Sequence, residues 1–261
     1  MPHLTSGGHP PVPAARSECA LLLDFDGTLT PLVDRPEAVE LAPHVKELLI
    51  ELQRLLTGAI AVVSGRPLEQ LGRFLHPFAP VMLGQHGAQW QDRDGHHHTL
   101  PFDAEALNGA RVRLAALSAR HPGLQLEDKG ASLALHYRNV AAERLDRALI
   151  DAHAAIEAEA SRLGSHVVHH GKCVFDLRLA GSDKGQAVDR VMGEAPFHGR
   201  RPVFIGDDLT DEDGFRAAEA RSGITIKVGE GESRARYRLQ DPAAVHAWLA
   251  ACLHTWRETT H

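Results

Sequence analysis

Two carboxylates, Asp24 and Asp26, close the run Leu21-Leu22-Leu23-Asp24-Phe25-Asp26 and are followed at once by Gly27, Thr28, Leu29 and Thr30. An apolar run this short and this sharply stopped reads as a buried strand. Its C-terminal end is where open α/β sheets bind their ligands. Two carboxylates there can hold a hard divalent cation while one attacks an electrophile and the other handles protons. Gly27 lets backbone N–H groups approach an anionic oxygen, and the Thr28 hydroxyl adds a donor. Taken alone, the same residues also read as an Asp-Gly turn after an ordinary strand.

Three further polar clusters follow. Ala59-Ile60-Ala61-Val62-Val63 ends in Ser64-Gly65-Arg66, and Pro202-Val203-Phe204-Ile205 ends in Gly206-Asp207-Asp208-Leu209-Thr210-Asp211. Between them, Ser182-Asp183-Lys184-Gly185 opens a predicted helix. A DxDGT box, a strand-end serine, a lysine and a GDDxxD box in this order resemble the four motifs of the haloacid dehalogenase (HAD) superfamily of phosphotransferases. The resemblance implies that Asp24 attacks phosphorus to form an aspartyl-phosphate, while Asp26 protonates the leaving oxygen and then helps to activate water. It implies Mg²⁺ held by the Asp24 carboxylate, the Asp26 backbone carbonyl and Asp207, with Asp208 and Asp211 in support. Ser64 would bond a phosphoryl oxygen, and Lys184 would balance the charge of nucleophile and phosphate. Gly27, Thr28, Gly65 and Arg66 fall beside them as substrate-binding positions. Phosphoryl transfer needs positioning and neutralisation above all, since a carboxylate meets an anionic phosphoryl group in a low-dielectric site.

The elements that must position these residues alternate between strand and helix. Leu41 to Thr57 carries Val45, Leu48, Leu49, Leu52, Leu55 and Leu56 on one helical face and stops at Gly58. Pro67 opens a second helix to Leu75, Val81-Met82-Leu83 reads as a strand, and Gln85 to Thr99 as a hairpin about Asp94-Gly95. The rhythm resumes after Lys184 with a helix to Met192, a strand at Val203, a helix from Asp211 to Ala220, a strand from Ile224 to Val228 and a helix from Ala243 to Leu253. Such alternation predicts an α/β fold, a Rossmann-like parallel sheet wrapped by helices.

The middle breaks the rhythm. A helix at Asp103 to Arg120, strands at Leu124 to Asp128 and Ala131 to Arg138, a long helix at Ala141 to Leu163, and strands at His166 to His170 and Cys173 to Leu179 form an αββαββ unit. This pattern predicts a separate α+β layer inserted between serine and lysine, where the larger, C2 type of HAD cap sits. The expected division is a core at 18–102 and 179–261, a cap at 103–178 and a disordered N-terminal tail at 1–17. Within the second cap strand, alternation sets Leu133, Leu135 and Tyr137 on one face and Ser132, His136 and Arg138 on the other.

The resemblance then narrows. Leu126-Glu127-Asp128-Lys129-Gly130-Ala131-Ser132-Leu133-Ala134-Leu135-His136-Tyr137-Arg138 is similar to the cap signature of trehalose-6-phosphate phosphatases, as are Gly84-Gln85-His86-Gly87-Ala88, Gly171-Lys172 and the GDDLTDEDGF segment. This likeness spans nearly everything after Glu18. It implies a cytoplasmic, Mg²⁺-dependent hydrolase that releases trehalose and phosphate. It also implies that His86, Glu127, Lys129, His136, Arg138, Lys172 and Asp176 bind substrate. Asp176 stands where the family usually carries glutamate, one methylene longer. The other readings are a phosphatase for sucrose phosphate or a mannosyl phosphate, a mutase, and a non-catalytic phosphosugar-binding protein. The last has no need of both a nucleophile and an acid/base.

The remaining composition narrows the partners to a small molecule. The 261 residues carry a formal net charge of −6 and no basic stripe, which disfavours nucleic acid. No apolar run reaches the ~20 residues needed to span a membrane. The three cysteines, Cys19, Cys173 and Cys252, lack metal-ligand spacing and read as reduced structural thiols. His96-His97-His98 reads as a solvated turn, with a metal site there, or at His169-His170 beside Cys173, as the minor alternative. A monomer is expected.

Overall fold

The computed structural model describes residues 8–14, 16–33, 39–171 and 173–258. Strand β1 (Cys19–Leu23) is buried at every position. It is the centre of a parallel arrangement, flanked on one edge by β10 (Arg201–Gly206) and on the other by β2 (Ile60–Val63). Buried on both faces as well as paired on both edges, it has no polar side to show, so its sequence is continuously apolar. The sheet extends through β3 (Val81–Gly84), β4 (Gln89–Gln91) and β5 (His97–Thr99) on one side, and β11 (Ile224–Val228) and β12 (Tyr237–Leu239) on the other, in the order β12-β11-β10-β1-β2-β3-β4-β5. The pairs from β12 to β3 are parallel, and β4 runs antiparallel to β3.

Helices of this unit are α1 (Pro43–Leu55), α2 (Leu68–Leu75), α5 (Lys184–Met192), α6 (Asp211–Ala220) and α7 (Pro242–Glu258). The first pairs with the last, and α5 with α6. Proline in the first turn of α1 fixes its start, two residues later than the apolar pattern suggests. Helix α5 is capped by Asp183, whose carboxylate accepts from the Gln186 N–H at 2.8 Å. Strand β12 is a short element that its sequence did not announce.

The chain divides into two compact units, 1–98 with 183–261, and 99–182. The second has its own core. Helix α3 (Ala104–Ser118) and helix α4 (Ala142–Leu163) accompany an antiparallel sheet of β6 (Gln125–Asp128), β7 (Leu133–His136), β9 (Val174–Leu179) and β8 (His166–Gly171), in that order. Leu107, Leu114, Leu133, Leu135, Ile156 and Leu177 are buried together. Glu159 is almost inaccessible on α4, and its carboxylate accepts from Arg113 Nε and Nη2, each at 2.7 Å.

The N-terminal segment departs from the expected disordered tail. Pro10 is buried, and Gly8 bridges Tyr237 of β12. Trp248 Nε1 donates to the Pro10 carbonyl at 3.2 Å and Trp256 Nε1 to the Pro13 carbonyl at 2.7 Å. Both indoles are buried, and a buried indole N–H needs an acceptor. The proline-rich strap supplies it. Residues 1–7 and 15 lie outside the described residues.

Candidate active site

The strand ends of β1, β2 and β10 lie side by side because these strands are neighbours in the sheet. Asp24 follows β1, Ser64 follows β2 and Asp207 follows β10. Lys184, the first residue of α5, reaches into this group. Its ammonium donates to Asp24 Oδ1 at 2.7 Å and to Asp211 Oδ1 at 2.6 Å, and it is 2% exposed. Asp211 is fully buried, and its other oxygen accepts from the N–H groups of Asp207 and Asp208, both at 3.0 Å. One carboxylate at the head of α6 thus fixes both the lysine and the loop that carries Asp207.

The charges are unequal. Ligand atoms of Asp24, Asp207 and Asp211 all lie within 4.8 Å of one another around a single ammonium. Burial pushes all three carboxyls above their ordinary values against the pull of Lys184. Charge repulsion adds to it, Asp207 raising Asp24, Asp211 raising Asp207 and Asp24 raising Asp211, while a hydrogen bond with Asp24 eases Asp207 back. Burial alone would lower the lysine, but Asp211 and Asp24 outweigh it and hold the ammonium charged. A divalent cation would supply the missing positive charge, and an all-oxygen donor set suits a hard ion. Asp208 is not part of this cluster. It is exposed, and its Oδ1 accepts from Thr210 N at 2.8 Å and Thr210 Oγ1 at 2.6 Å.

Around the carboxylates the backbone closes tightly. Gly27 has φ +77°, and a Cβ there would sit 2.2 Å from Asp207 Oδ2, so no other residue fits. Thr28 is fully buried, and its Oγ1 has no hydrogen-bond partner among the described residues. Ser64 is buried, and its Oγ accepts from the Arg66 N–H at 3.2 Å. Its carbonyl accepts from His86 N at 2.9 Å, which laces the loop after β2 to the turn after β3. Gly65 packs against this histidine; a Cβ there would be 2.8 Å from His86 Nε2. Asp26 does not share the lysine. Arg66 Nε donates to its Oδ2 and Nη2 to its Oδ1, each at 2.6 Å.

A second polar group lies within the cap unit. Pairing of β6, β7, β9 and β8 sets Glu127, Ala134, Asp176 and His169 in one row across the sheet. His136 Nε2 lies 2.8 Å from Glu127 Oε2, and Lys129 Nζ donates to Asp176 Oδ1 at 3.2 Å and lies 3.7 Å from Glu127 Oε2. The His136 hydrogen bond, helped by Lys129, holds the Glu127 carboxyl below its ordinary value despite partial burial. The shorter Asp176 still meets the lysine. Arg138 departs from the expected strand face: β7 stops at His136, Val140 N bonds the Tyr137 carbonyl, and Arg138 is exposed in the intervening turn. Lys172 lies outside the described residues.

Sequence reasoning overlooked two residues. Lys227, near the end of β11, is 6% exposed and donates to the carbonyls of Asp207 and Val228, the latter at 3.1 Å. Its signal was a lone lysine in the apolar run Ile224-Thr225-Ile226-Lys227-Val228, at the ligand end of the sheet. Gln85 is buried with φ +48°, and its N–H donates to the Arg66 carbonyl at 3.0 Å.

The chain is similar to known proteins in sequence and fold. The profile of the family described as trehalose-phosphatase matches residues 22–243. The chain is 33% identical over 238 residues to the trehalose-6-phosphate phosphatase of Escherichia coli, covering 91% of this chain and 87% of that one. It is 37% identical over 211 residues to a probable trehalose-phosphate phosphatase of Sinorhizobium fredii, covering 80% and 77%. Among solved structures, a trehalose-6-phosphate phosphatase related protein aligns with a TM-score of 0.76 at 27% identity, over 92% of this chain and 100% of that one. A haloacid dehalogenase-like hydrolase from B. subtilis shares the fold, with a TM-score of 0.57 at 16% identity. With the matched region running from β1 into α7, across both units and every strand-end carboxylate described above, the chain belongs to the trehalose-phosphatase family, built on the HAD fold with an inserted cap.

Proposed function

We propose that the chain is a Mg²⁺-dependent phosphatase that hydrolyses trehalose 6-phosphate to trehalose and phosphate through an aspartyl-phosphate, the last step of trehalose biosynthesis. The observation that carries this reading is the buried Asp24–Lys184–Asp211 chain. It aims one carboxylate at the strand-end site and keeps a fixed cation beside it, as attack on an anionic phosphoryl group requires. Asp24, Asp207 and the Asp26 backbone carbonyl are the groups that would hold Mg²⁺, with Asp208 and Asp211 in support. When bound, the ion neutralises charge on the phosphoryl oxygens and the nucleophile.

In the first step an Asp24 oxygen forms a bond to phosphorus, the bond from phosphorus to the sugar oxygen breaks, and Asp26 gives that oxygen a proton. In the second, Asp26 takes a proton from water, which attacks phosphorus and frees Asp24. Ser64, Thr28 and Lys184, with His86 and backbone N–H groups in the loops around Gly27 and Gly65, receive the phosphoryl end, and Arg66 orients Asp26 beside them. Glu127, Lys129, His136 and Asp176, with Arg138 and Lys172, receive sugar hydroxyls, each of which both donates and accepts. All three cysteines are free, as befits a cytoplasmic protein. We take it to act as a monomer without nucleic acid or membrane, and among the described residues no helix is long and apolar enough to cross one.

Phosphate release from a panel of sugar phosphates, with and without Mg²⁺, tests the reading. Trehalose 6-phosphate should be preferred over sucrose phosphate and mannosyl phosphates, and Asp24→Asn should stay folded yet lose almost all turnover. Preference for another sugar would move the substrate assignment, and turnover by Asp24→Asn near that of the parent would exclude the covalent route.

A further inference from the structure

Away from the phosphoryl site, two groups of His, Asp or Glu side chains bring their ligand atoms within 4.8 Å of one another among the described residues. The first, Asp92, Asp94 and His96, sits at the β4–β5 turn, where the Asp92 carboxylate is already engaged. Its Oδ1 accepts from the N–H groups of Asp94 and His96, and its Oδ2 lies 2.9 Å from His98 Nε2. The second, His153, Glu157 and His170 in the cap unit, is built differently.

His153 and Glu157 stand one helical turn apart on α4, so both leave the same face of the helix. His170 arrives from β8. The two imidazole centroids are 5.3 Å apart with their planes tilted by 36°, and both rings rest on Phe175, at 5.7 Å and 5.3 Å. Phe175 is 6% exposed, so the wall that holds the rings is itself anchored in the cap core. Glu157 Oε1 lies 3.7 Å from His153 Nε2, too far for a hydrogen bond. All three side chains open to solvent. Two ring nitrogens and one carboxylate, gathered without a hydrogen bond between the helical pair, bring their ligand atoms within 4.8 Å of one another.

The geometry points to a second metal site, in which His153, Glu157 and His170 hold a borderline divalent transition-metal ion such as Zn²⁺, with water completing its coordination. Imidazole suits Zn²⁺, Ni²⁺ and Cu²⁺, whereas Mg²⁺ demands oxygen donors and keeps its waters, so the two sites would sort their ions by chemistry. A bound ion would pin α4 to the β8–β9 hairpin. That hairpin carries Asp176 on its opposite face, one position along from the Phe175 that pairs with His170.

The test is calorimetric titration of the full chain with Zn²⁺ in saturating Mg²⁺, in a His96→Gln/His98→Gln background that silences the other cluster. We expect one Zn²⁺ per chain. Its affinity should fall about tenfold or more in each of His153→Gln, Glu157→Gln and His170→Gln. Zn²⁺ should raise the unfolding temperature of the parent and not that of His170→Gln. Circular dichroism and unchanged Mg²⁺-supported phosphatase activity would show that the exposed substitutions leave the fold intact. Equal Zn²⁺ affinity in parent and variants, or displacement of Zn²⁺ by excess Mg²⁺, would overturn the proposal.

Discussion

Arg66 grips Asp26 with two prongs, Nε on Oδ2 and Nη2 on Oδ1, both at 2.6 Å. The guanidinium also lies 5.0 Å from the Phe74 ring centroid and 5.8 Å from that of Phe25. Its plane is therefore fixed by packing as well as by the carboxylate, and in the free chain the acid/base of the proposed reaction is docked on a rigid cation.

Arg66→Lys retains the charge and loses the fork. If Arg66 acts by orienting Asp26, kcat on trehalose 6-phosphate should fall about ten- to a hundredfold. Phosphoenzyme formation from 4-nitrophenyl phosphate, whose leaving group needs no proton, should fall much less. Steady-state and single-turnover kinetics on both substrates make the comparison. Equal losses would assign Arg66 to the phosphoryl group itself.

Thr28 offers a buried hydroxyl that no group among the described residues satisfies. An unpaired buried polar group costs about 1–3 kcal/mol, so Thr28→Val should leave urea-unfolding stability unchanged or raised. Inhibition by inorganic phosphate should weaken in the same variant. A Thr28→Val protein that is less stable and binds phosphate as before would show that the hydroxyl serves the fold.

In the cap, Lys129 stands between Asp176 and Glu127. Lys129→Ala or Glu127→Ala should reduce kcat/KM for trehalose 6-phosphate roughly ten- to a hundredfold, with part of the loss in kcat, because contacts remote from phosphorus position the reacting centre. An aryl phosphate has no second sugar to lose and should be hydrolysed almost as before. Parallel losses on both substrates would identify these residues as structural.

His166 gives the cap a pH dependence. It is 4% exposed, and its Nε2 lies 3.0 Å from the Ala131 carbonyl, which can only accept, so Nε2 carries the proton and Nδ1 faces Ser165 Oγ. Burial holds the ring below its ordinary value of 6.5. The folded chain thus binds this proton more weakly than the unfolded one. The stabilisation is complete above 6.5 and is lost as pH falls through the folded value. Glu159, held below its ordinary value of 4.5 by Arg113, acts with the same sign in a more acidic window. Urea midpoints should decline from about pH 7 to about pH 5, less steeply in His166→Gln. An identical slope in the variant would clear His166 of the effect.

Where a candidate residue closes a strand, the sequence was enough to locate it in the fold. Asp24, Ser64 and Asp207 each terminate an apolar run, and Lys184 follows its own cap residue. What escaped was decided by partners far along the chain. Arg66 and Asp26 are 40 positions apart, and no periodicity relates them. Residues 8–14 have the composition of a loose tail, yet their carbonyl groups meet indoles 238 and 243 positions away. Arg138 was misplaced for a local reason, since alternation continues on paper past the turn that stops β7. Lys227 was visible as an oddity, but the carbonyl it serves became evident only in three dimensions.

The place of β1 in the sheet has a consequence for how the catalyst comes into being. Its partners are β2, close behind it, and β10, which a ribosome makes only after the whole cap. The bond from Lys184 to Asp24 spans 160 positions. The cap's strands pair only with one another, so its core can close while the central strand still lacks one neighbour. Among the paired strands of this sheet, joining β1 to β10 closes the longest loop and so carries a large entropic cost. A nascent chain stopped short of Gly206 would therefore hold a finished cap and a chemically silent nucleophile, with activity appearing only as the middle of the sheet is sealed.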